Sequence, residues 1–364
     1  MQFEATVATI ADRVVQASLK LVLEPIFEAD FLPCSYGFRP NHRTHDAVAE
    51  VRFLASKSYE WIVEGDIKAC FDEISHSALM DRVRNRVADK RVLALVKAFL
   101  KAGILGEDRL LRDNTAGTPQ GSILSPLLSN VALSVLDEHI AQAPGGPATS
   151  SWERAKRRRH DLPNFRLVRF ADDWCLMVNG TRADAAALRE EIAGVLTPMG
   201  LRLSAEKTLI THIDEGLVFL GWQIRRHRKR GTSRRYVYTY PAKKALRAIM
   251  AKVKALCRRT GTSLPLDTLL IGLNQMLRGW CEYFRPGVSS ATFQYVSSYV
   301  WKRVMKWLKR KHRRTSWKEL RRRYCDGQWW PASNQRELFD PGKVGTTRYR
   351  YRGTAIPSPW PATG

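Results

Sequence analysis

Cysteine is scarce in this 364-residue sequence. The six present, Cys34, Cys70, Cys175, Cys257, Cys281 and Cys325, lie far apart, and no CxxC pair occurs. That spacing excludes a zinc ribbon, a zinc knuckle and a dense disulfide scaffold, and it makes a reducing compartment the default. No run of about 18 apolar residues exists either, so no helical membrane span is expected. The stretch Met1 to Leu23 is amphipathic and carries Asp12, Arg13 and Lys20. It reads as a helix and not as a signal peptide, and without a transit peptide a bacterial cytoplasm is the expected location. Acids are the third shortage, and a local one. Residues 225–364 hold 6 Asp and Glu against 33 Lys and Arg, whereas residues 1–224 hold 29 against 27.

A basic excess confined to one part of the chain repels itself unless a polyanion shares the charge. Arginine dominates that excess and is interleaved with Trp, Tyr and Phe, which stack on bases. Nucleic acid is therefore the expected partner.

The first 224 residues mix helical and strand patterns. Trp61 to Ile67 reads as a strand ending in acids, and Ser77 to Leu100 repeats apolar residues at helical spacing. Ile123 to Ile140 reads as a long helix entered through Ser125-Pro126. A hairpin is predicted from Phe165–Phe170, the turn Ala171-Asp172-Asp173 and Trp174–Val178, then a helix from Thr181 to Met199 closed by Gly200. This order predicts an α+β layout, an antiparallel sheet backed by helices. Residues 225–240 read as a basic linker, 241–330 as a helical domain and 331–364 as a basic Pro/Gly/Tyr-rich tail. In that tail Thr347 to Arg352 reads as an edge strand.

An Asp-Asp pair in a turn ordinarily caps backbone amides. Here Asp172 and Asp173 have company if the strand ending in Asp66 lies beside the hairpin. Three carboxylates would then meet at one sheet edge and raise one another's pKa unless divalent cations bound there. Mg²⁺ suits such oxygen ligands and keeps positions open for substrate phosphates. Two ions about 4 Å apart would activate an attacking hydroxyl and stabilise a departing pyrophosphate, which is nucleotidyl transfer.

At these residues the chain resembles the reverse transcriptase/maturase proteins encoded by group II introns, over about residues 12–325. Ser35 to Arg43 is similar to the block after the fingers hairpin. Glu64 to Asp72 is similar to polymerase motif A, Gly117–Ser122 with Leu124–Asn130 to motif B, Phe170-Ala171-Asp172-Asp173 to motif C, and Leu201–Lys207 to motif D. Phe219-Leu220-Gly221-Trp222 resembles the primer grip, and Leu273–Phe284 the start of the maturase (thumb, or X) domain. The resemblance implies a right-hand polymerase with fingers and palm, followed by an α-helical thumb.

It further implies an RNA-directed DNA polymerase that uses two Mg²⁺ ions and dNTPs on an RNA template with a DNA primer. Group II intron RNA and target DNA are the other implied partners, and the oligomeric state is left open. Asp66 and Asp172 would be the principal metal ligands, with the Ile67 carbonyl a helper and Asp173 a ligand or a supporting acid. Phe71 would lie under the sugar and exclude a ribose 2′-OH. Gln120 and Gly121 would approach the incoming base pair, while Lys207 would protonate pyrophosphate. Arg13, Arg39 and Arg43 would reach the triphosphate. Arg278, Lys302, Arg303, Lys306, Lys309 and Arg310 would grip RNA.

Three departures from the family pattern stand out. The chain starts late in the first fingers block, Phe170 replaces the more usual tyrosine, and no Cys-pair or His-Asn-His array follows that would make a DNA endonuclease domain. Two alternatives accompany the reading: a splicing maturase with weak or lost polymerase activity, and a defence or repair reverse transcriptase independent of any intron.

Overall fold

The computed structural model describes residues 9–102, 104–105, 111–112, 114–119, 121–229, 231–325, 329–333, 336–353 and 355–360. The chain divides into two compact units, Met1–Leu217 together with Tyr351–Gly364, and Val218–Arg350. The second is therefore an insertion within the first.

In the first unit, α1 (Ile10–Glu28) opens with a capping box between Thr9 and Asp12. After it come α2 (Thr44–Ala55), β1 (Trp61–Gly65), α3 (Cys70–Glu73), α4 (His76–Arg84) and α5 (Lys90–Lys101). The helical spacing read across Ser77 to Leu100 is thus divided in two. Asp89 explains the break, because its carboxylate accepts from the Arg91 and Val92 amides and starts a new helix. The short pair β2 (Ile104–Leu105) and β3 (Leu111–Arg112) precedes α6 (Ser125–Gln142) and α7 (Ser151–Arg159). The hairpin β4 (Asn164–Phe170) and β5 (Asp173–Asn179), then α8 (Arg182–Leu196) and β6 (Leu209–His212), complete this part of the unit.

Strand order is β4-β5-β1-β6, and every neighbouring pair is antiparallel. Alternation of side chains puts Val63, Leu167 and Leu176 on one face, in a continuous core with Leu128, Leu136, Leu188 and Ile192 of α6 and α8. Ile62, Cys175 and Met177 are fully buried on the opposite face, against which α2 packs. Each such side chain contributes about 1.5–3 kcal/mol by leaving water, so the sheet is held from both sides while its ends remain open for chemistry.

Residues 351–360 return to this unit. The Arg352 guanidinium takes both oxygens of buried Asp46, the acid that caps α2, and also donates to the Asn41 carbonyl. Tyr351 stacks on Phe53 at 4.6 Å and donates to Glu50 (2.6 Å). The edge strand expected over Thr347–Arg352 does not form; side-chain bonds to α2, not a backbone ladder, hold its last two residues.

The second unit begins with a three-stranded sheet of β7 (Leu217–Phe219), β8 (Trp222–Arg228) and β9 (Arg235–Pro241). Residues 225–240, expected as a linker, therefore lie largely in a paired hairpin. Their dense positive charge conceals a strand alternation in which Val237, Thr239 and Pro241 point inward. Beyond it, α9 (Lys243–Arg259), α10 (Leu266–Phe284), α11 (Ser290–Lys311) and α12 (Trp317–Tyr324) share one core, which includes Val253, Leu273, Leu277, Val300, Val304, Trp307 and Leu320.

Candidate active site

The register of the sheet assembles the site. Phe170 pairs with Asp173, which leaves Ala171 and Asp172 as a two-residue turn, and Gly65 pairs with Trp174. One step further along that register, Asp66 falls opposite Asp173 at the same sheet end. Ala171 sits at φ 58°, a left-handed conformation that disfavours a side chain. Its strain is offset by a buried network.

Arg169 builds that network. Its side chain and that of Asp137 on α6 are both fully buried and joined by a two-pronged ion pair (2.8 and 2.6 Å). The remaining Arg169 donors reach Asn130 Oδ1, Ser35 Oγ and the Ala171 carbonyl, the last at 3.0 Å. Asn130 in turn donates to the Gly37 carbonyl. Gly37 lies so close to the turn that a Cβ there would come within 2.2 Å of the Ala171 amide, so only glycine fits. Sequence reasoning missed Arg169, Asp137 and Asn130. The available signal was a charge inside each of two apolar segments, Leu167–Phe170 and the all-round buried α6.

Burial pushes the Asp172 carboxyl above its ordinary pKa; a backbone hydrogen bond pulls it back, and the charge of Asp66 raises it again. Asp66 thus lies near enough for its charge to act on the Asp172 carboxyl. Asp173 is the exposed member. Among the described residues no three His, Cys, Asp or Glu side chains form a ready-made metal cluster, so the expected convergence of three carboxylates is seen most directly as a pair. That donor set still fits magnesium, which is commonly held by one or two carboxylates and completed by substrate phosphates and water. Ile67, buried next to Asp66, bridges to Leu203 and so ties the motif A strand to the loop carrying Lys207. Lys207 Nζ stands 3.2 Å from Asp66 Oδ2.

Phe71 lies on α3, edge-on to Phe38 at 6.5 Å between ring centroids. The Gly117–Thr118 loop packs on its backbone: Thr118 N donates to the Phe71 carbonyl at 2.5 Å. Gly117 has φ 83°, and a Cβ there would lie 2.5 Å from that same carbonyl. Gly121 is exposed with φ 86°, whereas Gln120 lies outside the described residues. Gln16 of α1, another residue the sequence did not flag, accepts from Ser122 Oγ and the Ile123 amide and so pins this loop.

Not every expected contact is available. Arg39 is buried against Glu28, and its remaining donors serve the Leu32 and Ser35 carbonyls, so it pins a loop and does not reach a triphosphate. Arg13 is exposed on α1, and Arg43 is exposed at the start of α2. In the second unit Phe219 and Trp222 are core side chains, with Trp222 packed on Phe284; only the Leu220-Gly221 turn between them reaches outward. Tyr283 holds that turn through the Leu220 carbonyl. Arg278 is exposed over the Phe339 ring, and Lys302 and Lys306 are exposed on α11. Arg303, Lys309 and Arg310 are held by neutral oxygens of Tyr299, Thr315 and Cys257.

Residues 4–224 match the family described as Reverse transcriptase (RNA-dependent DNA polymerase), and residues 246–325 match the Group II intron, maturase-specific domain. Protein YkfC of Escherichia coli (strain K12) is similar, 36% identical over 272 residues that cover 68% of this chain and 71% of YkfC. The group II intron-encoded protein LtrA of Lactococcus lactis subsp. cremoris is 32% identical over 273 residues, 63% of this chain and 45% of LtrA. The chain thus matches less than half of that relative's length. A solved telomerase from Candida tropicalis, in complex with a fragment of telomeric RNA, aligns with a TM-score of 0.44 and 15% identity over 82% of this chain and 49% of that one.

Proposed function

The chain belongs to the reverse transcriptase family and carries the group II intron maturase-specific domain, and from that premise we propose that it is an RNA-directed DNA polymerase acting for its intron. It adds dNTPs to a DNA primer 3′-OH on an RNA template, binds the intron RNA, assists splicing and copies the intron into target DNA. The observation that supports this reading furthest is the strand register that brings Asp66 to the same sheet end as the turn carrying Asp172.

Asp66 and Asp172, with the Ile67 carbonyl, hold the magnesium ions, and Asp173 serves as a further ligand or a supporting acid. When bound, magnesium supplies activation of the primer hydroxyl and stabilisation of the departing pyrophosphate. Lys207 neutralises Asp66 in the free enzyme and stands ready to give a proton to the leaving group. Phe71, backed by the Gly117–Thr118 loop, is the wall against a 2′-OH. Gln120 and Gly121 approach the nascent pair, and exposed Arg13 and Arg43 meet the triphosphate. The Leu220-Gly221 turn, positioned by Phe219 and Trp222, steers the primer. Arg278 and the basic side of α11 hold RNA.

Extension of oligo(dT) on poly(rA) with Mg²⁺ tests this. The chain should incorporate dTMP, chelation of the metal should stop it, and Asp172→Ala should abolish it while RNA binding persists. A chain that incorporates nothing yet rescues splicing of its intron would overturn the polymerase and leave a splicing maturase. Absence of intron RNA sequence around the reading frame would point instead to an intron-independent enzyme.

A further inference from the structure

A cleft of about 480 Å³ opens within the second unit, where α9, α11 and the start of α12 meet. Seven cations line it. Three of them are fixed by neutral partners: Arg303 by the Tyr299 hydroxyl at 3.0 Å, Lys309 by the Thr315 carbonyl and Arg310 by the Cys257 carbonyl at 2.7 Å. The other four, Lys254, Arg258, Lys306 and Arg313, are exposed. Among the described residues no carboxylate forms a salt bridge with any of the seven, and Glu319, on adjacent α12, is engaged by Arg322. Positive charge gathered without counterions repels itself, and the fixed members cannot swing away to relieve it. Such a site is organised in advance for an anion.

The cleft also holds an aromatic. Trp317 lines it and is 51% exposed, although it begins a helix whose Leu320 enters the core. A large indole left half in water beside a ring of cations matches the pairing by which single strands are bound, phosphates on cations and a base on a π-face. A duplex offers only its backbone to such a cleft, since its bases are stacked on one another. The volume is in the range of small-ligand pockets and is wider than a bare phosphate needs.

We propose that this cleft seats one unpaired RNA nucleotide, its base on Trp317 and its flanking phosphates among the seven cations, at a place separate from the carboxylate site. The choice of RNA as the polyanion rests on the proposed function; the choice of an unpaired nucleotide rests on the cleft itself.

The test uses the full chain and two labelled probes, oligo(rU) and a fully paired RNA duplex of equal length. Trp317→Ala should weaken oligo(rU) binding roughly 5- to 100-fold and leave duplex binding within about twofold, and Trp317→Phe should restore most of the loss. Lys306→Glu should also flatten the dependence of oligo(rU) affinity on salt. Equal losses on both probes would overturn the nucleotide seat in favour of a plain phosphate patch, and unchanged oligo(rU) binding in both variants would remove the site altogether. Competition by inorganic pyrophosphate alone, with no effect of Trp317→Ala, would reduce it to an anion site without a base. Asp172→Ala, run in parallel, should bind oligo(rU) as the parent does; loss of extension with binding intact keeps this result independent of the catalytic reading.

Discussion

Arg169 and Asp137 are buried completely and joined by two hydrogen bonds, 32 positions apart in the chain, directly beneath the turn that carries Asp172. Breaking a buried pair by removing one partner leaves an uncompensated charge, at a cost of about 3–5 kcal/mol. Asp137→Asn and Arg169→Gln should each lower stability by about that much in urea unfolding. The double variant Arg169→Met/Asp137→Leu removes both charges and should recover most of the stability. It should not recover primer extension, because the Ala171 carbonyl and Ser35 have lost their donor. Full activity in the double variant would show that the pair merely stabilises the fold.

Lys207 presents the opposite case. Its ammonium is 62% exposed at Asp66, so solvent and salt screen the pair and its net contribution to stability is about 0–1 kcal/mol. Lys207→Ala should therefore unfold at nearly the parent urea concentration while the rate of nucleotide addition falls roughly 10- to 1000-fold, the usual range for a lost proton donor. An unchanged rate would assign this lysine to charge balance alone.

Phe71→Ala should lower the ratio of kcat/KM for dTTP over UTP, chiefly by admitting the ribonucleotide. The ring touches Phe38 and its backbone supports the Gly117–Thr118 loop, so a parallel Phe71→Leu chain controls for loop displacement. Unchanged discrimination in both would place the ring away from the sugar.

Arg352→Ala should expose the cost of taking the guanidinium from the buried carboxylate of Asp46, about 1–3 kcal/mol. The loss should appear in the unfolding of the first unit, because Asp46 caps α2, which covers one face of the sheet. Hydrogen exchange along α2 measures it; unaltered protection there would make the contact incidental.

Much of the sheet could be read from sequence because its signals are local. β-branched and aromatic runs mark β1, β4 and β5, and the tight turn at Ala171-Asp172 follows from their spacing. Asp66 and the hairpin acids were legible for the same reason, as charges at the ends of apolar strands. Arg39 was misread because a sequence shows an arginine near a functional block without showing Glu28, which claims it from a helix 11 positions earlier. Arg169 passed unnoticed because its partners lie on α6 and in the Ser35 loop. The hairpin of β8 and β9 was hidden by charge: seven Lys and Arg between 225 and 235 outweigh, to any composition-based reading, the alternation that buries Ile224 and Val237.

The clasp between Arg352 and Asp46 carries a consequence for synthesis. The two residues are 306 positions apart, with the whole inserted unit between them. At a translation speed of about 5–20 residues per second, the guanidinium leaves the ribosome roughly 15–60 s after the carboxylate it neutralises. During that interval the helix over the sheet must persist without this guanidinium on its capping acid. The first unit to be started is thus the one whose α2 receives this contact only after the whole inserted unit has been synthesised.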